Sequence, residues 1–247
     1  DYPANVRGYT YGATVEFNFL DWSWRYGVFA EPEVANGAPL DPHFLRANGN
    51  VVEFEQRWPE GINLQPAAVR VLSYLNNANM GNYRVALRDM PVNPDITQTR
   101  AYRVKYGFGV SWDVGLTRDL GLFGRFGWDD GHTEAWAYTE VDQTASLGMV
   151  LRGRSWGRPY DEFGLAGLVS GLSTGHRDYL AAGGLGFILG DGKLPHYGAE
   201  SVLETYYNLQ LKRYINLTLD LQGIANPAFN RDRGPVGLMA LRLHMEY

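Results

Sequence analysis

The fold class that the sequence predicts is all-β: an antiparallel barrel that crosses a membrane. Three observations predict it. About eleven segments alternate apolar and polar side chains with period two, the connections between them alternate short and long, and large rings gather on one side of the strands while charges gather on the other. Composition agrees. Over 247 residues the chain is 45% hydrophobic and 14% aromatic, has no cysteine and carries a formal net charge of -5, which excludes a disordered tail, a disulfide-stapled secreted domain and an ordinary nucleic-acid binder.

No run approaches the roughly 20 apolar residues of a membrane-spanning helix, and Asp1-Tyr2-Pro3-Ala4-Asn5 lacks a basic leader followed by an apolar core. A transmembrane strand needs only about 9 to 11 residues with every second one apolar, so period two is the pattern that decides.

Tyr9, Tyr11, Ala13, Val15, Phe17 and Phe19 alternate with Thr10, Gly12, Thr14, Glu16 and Asn18. Trp22, Trp24, Tyr26 and Val28 follow against Ser23, Arg25 and Gly27; then Val52, Phe54 and Trp58 against Glu53, Glu55 and Arg57. A noisier strand sets Val69, Val71 and Leu75 against Arg70, Leu72, Tyr74 and Asn76. Tyr102 to Trp112 is regular, with Arg103 and Lys105 on its polar side, as is Leu120 to Trp128, with Arg125. Ala145, Leu147, Met149 and Leu151 oppose Ser146, Arg152 and Arg154, and Phe163 to Leu172 is an apolar, Gly-rich strand whose faces the pattern does not resolve. The last three strands set Leu203 to Leu211 against Glu204, Leu217 to Leu221 against Asp220, and Met239 to Tyr247 against Arg242, His244 and Glu246.

The short connections are Leu20-Asp21, Pro59 to Pro66, Val114 to Asp119, Gly157 to Asp161 and Lys212 to Ile215. The long ones are Glu31 to Asn50, Ala78 to Thr99, Asp130 to Asp142, Ser173 to Gly198 and Asn226 to Pro235, with helical stretches at Tyr83 to Asp89 and Tyr179 to Ala182 that could fold inward. Tight turns at one rim and long loops at the other are the habit of outer-membrane barrels.

The chemistry of the two faces sets the orientation. Tyr9, Phe19, Trp22, Trp58, Tyr102, Trp112, Trp128 and Tyr247 lie on the apolar side near strand ends, where rings form girdles at the headgroup level. Lipid would penalise a Lys or Arg at mid-bilayer by roughly 2–4 kcal/mol, so the polar side faces water. The candidate pore-lining residues are therefore Arg25, Glu53, Arg57, Arg70, Arg103, Lys105, Arg125, Arg152, Glu204, Asp220 and Arg242. Their mixed signs suit a neutral, hydroxyl-rich solute better than a strongly selective ion channel.

The assembled segments resemble the carbohydrate-selective porin family of Gram-negative outer membranes, the OprB-type porins. The likeness rests on Arg7 to Gly12, Lys105 to Gly109, Gly124 to Gly131, Gly157 to Asp161, Tyr179 to Gly186, Gly190 to Gly192, Glu204 to Tyr207 and Asn226 to Val236. It implies passive sugar diffusion, with mono- or oligosaccharides as solutes, outer-membrane lipid around the wall, no cofactor and no nucleic acid; assembly into a homo-oligomer or a larger envelope complex stays open. It also implies a closed barrel of roughly 16 or 18 strands, so residues 1–247 are expected to form a single barrel domain as the C-terminal portion of a longer chain.

Other chemistry is poorly served. Asp129, Asp130, Glu134 and Glu140 form an acidic cluster that could in principle cleave glycosides or hold a cation, making Asp129 and Asp130 weak metal candidates, but their spacing fixes neither role. The five histidines contain no His-x-x-x-His pair, and Gly183 to Gly192 matches no nucleotide loop. No compact Ser-His-Asp set stands near one rim. The remaining alternatives are a general polar pore and a soluble β-sandwich binding module.

Overall fold

The computed structural model describes residues 9–135, 140–186 and 194–246. Arg7, Gly8, Gly190 to Gly192 and Tyr247 lie outside the described residues. Eleven strands make one sheet in which each pairs antiparallel with the next in chain order. They are β1 (Gly12–Asn18), β2 (Trp22–Ala30), β3 (Asn48–Trp58), β4 (Ala67–Met80), β5 (Ala101–Gly115), β6 (Leu120–Asp129), β7 (Gln143–Gly153), β8 (Arg158–Gly171), β9 (Glu200–Lys212), β10 (Ile215–Ala225) and β11 (Val236–Met245).

Register carries the period-two pattern across the whole sheet, because residues directly opposite each other share a face. One row runs Ser23, Glu55, Arg70, Ser111, Arg125 and Ser146; on the other face Trp24 meets Phe54, Phe54 meets Val71, and Val71 meets Val110. The second face exposes Phe17, Phe54, Val71, Phe108, Leu147, Leu203, Leu219 and Leu241. A soluble sheet would bury them, whereas a barrel in lipid presents them to acyl chains. The rings sit as expected: Phe19 stacks on Trp22 at 4.1 Å near the short-turn rim, where Trp58 and Trp112 also end their strands, and Tyr102 and Trp128 mark the opposite rim.

Glycine on one strand and an aromatic ring directly across from it recur five times among the described residues. Phe29 covers Gly12, Tyr74 covers Gly107, Phe123 covers Gly148 and Tyr206 covers Gly164 on the charged face, and Trp112 covers Gly124 on the apolar one. In each case a Cβ on the glycine would run into the ring, so the missing side chain is what lets the ring lie flat on the sheet.

All long connections leave the same rim, and there the chain builds the larger buried apolar cluster among its described residues. Helix α1 (Tyr83–Asp89) is capped by Asn82, whose side chain accepts from the Val85 amide at 3.0 Å, and α2 (Thr174–Ala181) by Ser173, which accepts from His176 at 3.2 Å. Tyr83, Ala86, Ile96, Leu172, Tyr179, Leu180, Leu194 and Phe229 pack together, joining three separate loops into one cap. The helix read at Tyr179 to Ala182 thus begins five residues earlier, because a cap and a Thr-Gly start hide its first turn. Arg154 moves from a strand into the 3-10 turn Arg154–Trp156, and β8 starts at Arg158 rather than Phe163. Asp161 explains that early start: on the apolar side, 2% exposed, it takes two bonds from Arg158, one from the Tyr207 hydroxyl and one from the Gln210 amide, so a charge sits in the girdle fully satisfied.

Candidate functional site

The charged face divides into three zones. On β1 to β5, Arg25 donates to Glu16, Glu53 and Glu55, each at 2.7 Å. Glu55, 6% exposed, is the hub, because Arg57 and Arg70 also approach it at 3.5 and 3.4 Å. Arg70 reaches on to Asp113 at 2.6 Å, and Arg57 donates to Ser23 at 2.7 Å. Charges of opposite sign therefore alternate across five strands and leave little unspent, which is how a charge lattice is tolerated on a half-buried wall.

On β5 to β8 the wall is nearly bare. Gly107, Gly109, Gly127, Gly148 and Gly164 share the charged face with Ser111, Ser146 and the flat ring of Phe123. Arg125 stands exposed in this zone, and neither it nor Arg152 has an ion-pair or hydrogen-bond partner among the described residues. On β8 to β11 the wall is polar again, with Tyr206 donating to Glu162 at 2.6 Å and Thr218 to Asn208 at 3.0 Å. Glu204, Asp220 and Arg242 gather on the same zone.

The loop cap closes over the charged face. A cleft of about 370 Å³ is bounded on one side by Leu72, Tyr74 and Lys105 of the wall and on the other by Ala135, Val141 and Asp142 of the loops. That shelter explains why β4 carries Leu72 and Tyr74 inward, the feature that blurs its alternation. Lys105, 6% exposed, lies 3.3 Å from Asp129 and 3.4 Å from the Thr133 carbonyl. Arg100 grips Glu134 with two bonds of 2.8 and 2.9 Å, and that carboxylate raises Arg100 above the ordinary guanidinium range. Asp142 accepts from the Ser173 amide at 2.7 Å and lies 3.0 Å from Nδ1 of His176, which stacks on Tyr83 at 4.3 Å. Burial pushes the Asp142 carboxyl up, yet His176, Lys105 and the Ser173 amide outweigh it and hold the group below the ordinary carboxylate range.

A sheet greasy outside, charged inside and capped by inward loops has the anatomy of a porin wall. The profile of the carbohydrate-selective porin, OprB family, matches residues 1–247. The chain belongs to that family. Its fold is matched by the high-pH structure of Pseudomonas putida OprB with a TM-score of 0.74 at 20% identity, over 96% of this chain and 58% of that one. The chain thus spans little more than half the length of that neighbour. No curated protein matches the sequence. Membership places this porin chain in the bacterial outer membrane and in a channel family, not an enzyme family.

Within the porin wall, all eleven candidate residues fall on the charged face, but they do not meet at one point. Arg25, Glu53, Arg57 and Arg70 belong to the lattice, Arg103 and Lys105 to the strand end under the cap, Arg125 and Arg152 to the bare zone, and Glu204, Asp220 and Arg242 to the far groove. Asp129 is held by Lys105 and the Gly131 amide, and Asp130 lies 3.2 Å from His132; among the described residues no three metal-ligating side chains converge. Sequence reasoning left Glu55, Asp113, Glu162 and Tyr206 out of the candidate wall. Glu55 was on the right face, and its signal as a hub was that, besides Arg57 two residues on in its own strand, it falls between Arg25 and Arg70 on the neighbouring strands, which only register reveals.

Proposed function

We propose that this chain supplies the wall of an outer-membrane channel through which sugars diffuse passively, with Arg25, Glu53, Arg57, Arg70, Arg103, Lys105, Arg125, Arg152, Glu204, Asp220 and Arg242 lining the water-filled side. The observation that carries the reading is the division of the wall into a neutralised lattice and a zone of unpaired polar groups. A neutral solute rich in hydroxyls exchanges hydrogen bonds with such groups as it exchanges them with water, and flat rings offer an apolar face to its C–H side. A lattice already paired with itself adds surface polarity without a strong net field, so small ions gain little from it.

The loop cap narrows the passage in this reading, since its cleft lies between Lys105 on the wall and Asp142 on the loops. The barrel domain, with its sugar solutes and surrounding lipid, works without an energy source or a cofactor. Liposomes containing the full-length porin are the test. Swelling in isotonic glucose together with saturable block of single-channel current by sugar is the expected result, and swelling governed by solute size alone, with no such block, would leave a general polar pore.

A further inference from the structure

The groove on β8 to β11 sets a flat aromatic ring beside carboxyl and guanidinium groups that are not tied into the lattice of β1 to β5. It encloses about 430 Å³, within the size of a small-molecule cleft, and one side of it is an aromatic ring laid flat. That ring is Tyr206, which covers Gly164 directly across the sheet and is fixed at its hydroxyl by the 2.6 Å bond to Glu162. Locked at both ends, the ring is a platform and not a swinging side chain. Beside it Glu204 and Asp220 are diagonal neighbours on β9 and β10, and Arg242 lines the same groove from β11.

We infer that this groove is a discrete pyranose subsite on the wall, selective for neutral over acidic sugars. The inference rests on the sugar-channel reading above and deepens it. A pyranose has a C–H face and an equatorial rim of hydroxyls. The C–H face stacks on Tyr206, while the rim donates hydroxyl protons to the Glu204 and Asp220 carboxyls and accepts from the Arg242 guanidinium, and bonds to charged partners are the stronger kind. Three carboxylates, Glu162, Glu204 and Asp220, stand against one guanidinium, so a solute bearing its own carboxylate meets repulsion that a neutral sugar does not. On β1 to β5 flat rings are present too, Phe29 over Gly12 and Tyr74 over Gly107, but the guanidinium and carboxylate groups of that lattice are already bound to each other.

Single-channel recordings of the full-length porin, titrated with D-glucose and with D-glucuronate, test the subsite. D-glucose blocks at lower concentration than D-glucuronate in the wild type. Tyr206→Ala raises the half-blocking glucose concentration by about tenfold, Tyr206→Phe by no more than about twofold, since the platform remains, and Glu204→Gln narrows the gap between the two sugars. Migration of unheated samples on gels verifies that each barrel is folded; should Tyr206→Ala not fold, Tyr206→Leu and Glu204→Gln carry the test. Unchanged block in these variants, with liposome swelling in glucose intact, overturns the subsite and leaves the sugar channel standing. Absence of both swelling and block in the wild type overturns both. Block that disappears with EDTA assigns the carboxyl pair to a cation and also overturns the subsite.

Discussion

The two flanks of the charged face are built from the same side chains and put them to opposite ends. On β1 to β5, Arg25, Arg57 and Arg70 share Glu16, Glu53, Glu55 and Asp113 through contacts of 2.6 to 3.5 Å. From β6 onward, the side chains of Arg125 and Arg152 have no such partners among the described residues, and Glu204 and Asp220 stand as diagonal neighbours on one face. A charge that is paired holds strands in register; a charge that is unpaired is available to whatever passes. In the proposed channel the first flank is therefore a structural wall that happens to be polar, and the second is the side offered to a solute. A substitution in one should alter stability first and transport second, and in the other the reverse.

The sharpest way to break this contrast is at the hub. Glu55→Gln leaves Arg25, Arg57 and Arg70 facing one another without their central anion. The expected loss is about 2 kcal/mol, toward the low end for a broken buried pair because the arginines are a third exposed and water screens them. A lower midpoint in urea unfolding from detergent or lipid checks it, together with a reversal potential displaced toward anions. If both stay unchanged, the lattice does not hold the flank.

The loop cap offers the next largest effect. Asp142→Ala removes the acceptor of the Ser173 amide and the partner of His176, so the start of α2 loses its tether to the loop before β7. Bonds to a charged acceptor are worth about 1.5–3 kcal/mol each, and the loss should appear locally, as faster hydrogen exchange of α2 amides and protease cleavage in the cap with the barrel strands still protected. Acid should imitate it. The carboxyl titrates lower in the folded chain than in the unfolded one, so its contribution is complete above the ordinary value of 3.8 and fades as pH falls through and below it. Exchange of α2 amides that is insensitive to pH over that range would remove Asp142 from the clamp.

Much of this was legible in the chain itself. Wherever one face meets lipid and the other water, period two is enforced on every residue, and all eleven strands follow from it. The strand ends were harder: β3 begins at Asn48 and β4 runs to Met80 through Asn76, Asn77 and Asn79, polar on both faces, because above the membrane no lipid demands alternation. β8 hid its faces for another reason, since Gly164 on the inner side is small to admit Tyr206, and a glycine reads as neither polar nor apolar. The individual wall residues were readable, but their partners were not. Whether Arg25 or Arg125 is neutralised depends on what stands across the ladder, and period two says nothing of that.

Arg125 supplies the smallest expected effect on stability and the most pointed one. It is exposed, its cross-strand neighbours are Ser111 and Ser146, and removing it orphans no buried group. Arg125→Ala should therefore leave the unfolding midpoint within about 0.5 kcal/mol of wild type, as for an isolated surface site. Its charge, however, is one that the wall does not cancel, so the same variant should move the reversal potential in a salt gradient toward cations. Set beside Glu55→Gln, it inverts both signs of the contrast: little change in stability instead of a loss, and a cation shift instead of an anion shift. A large loss of stability in Arg125→Ala would mean that the bare zone also depends on its arginine, and the division of the wall into a holding flank and a meeting flank would fall.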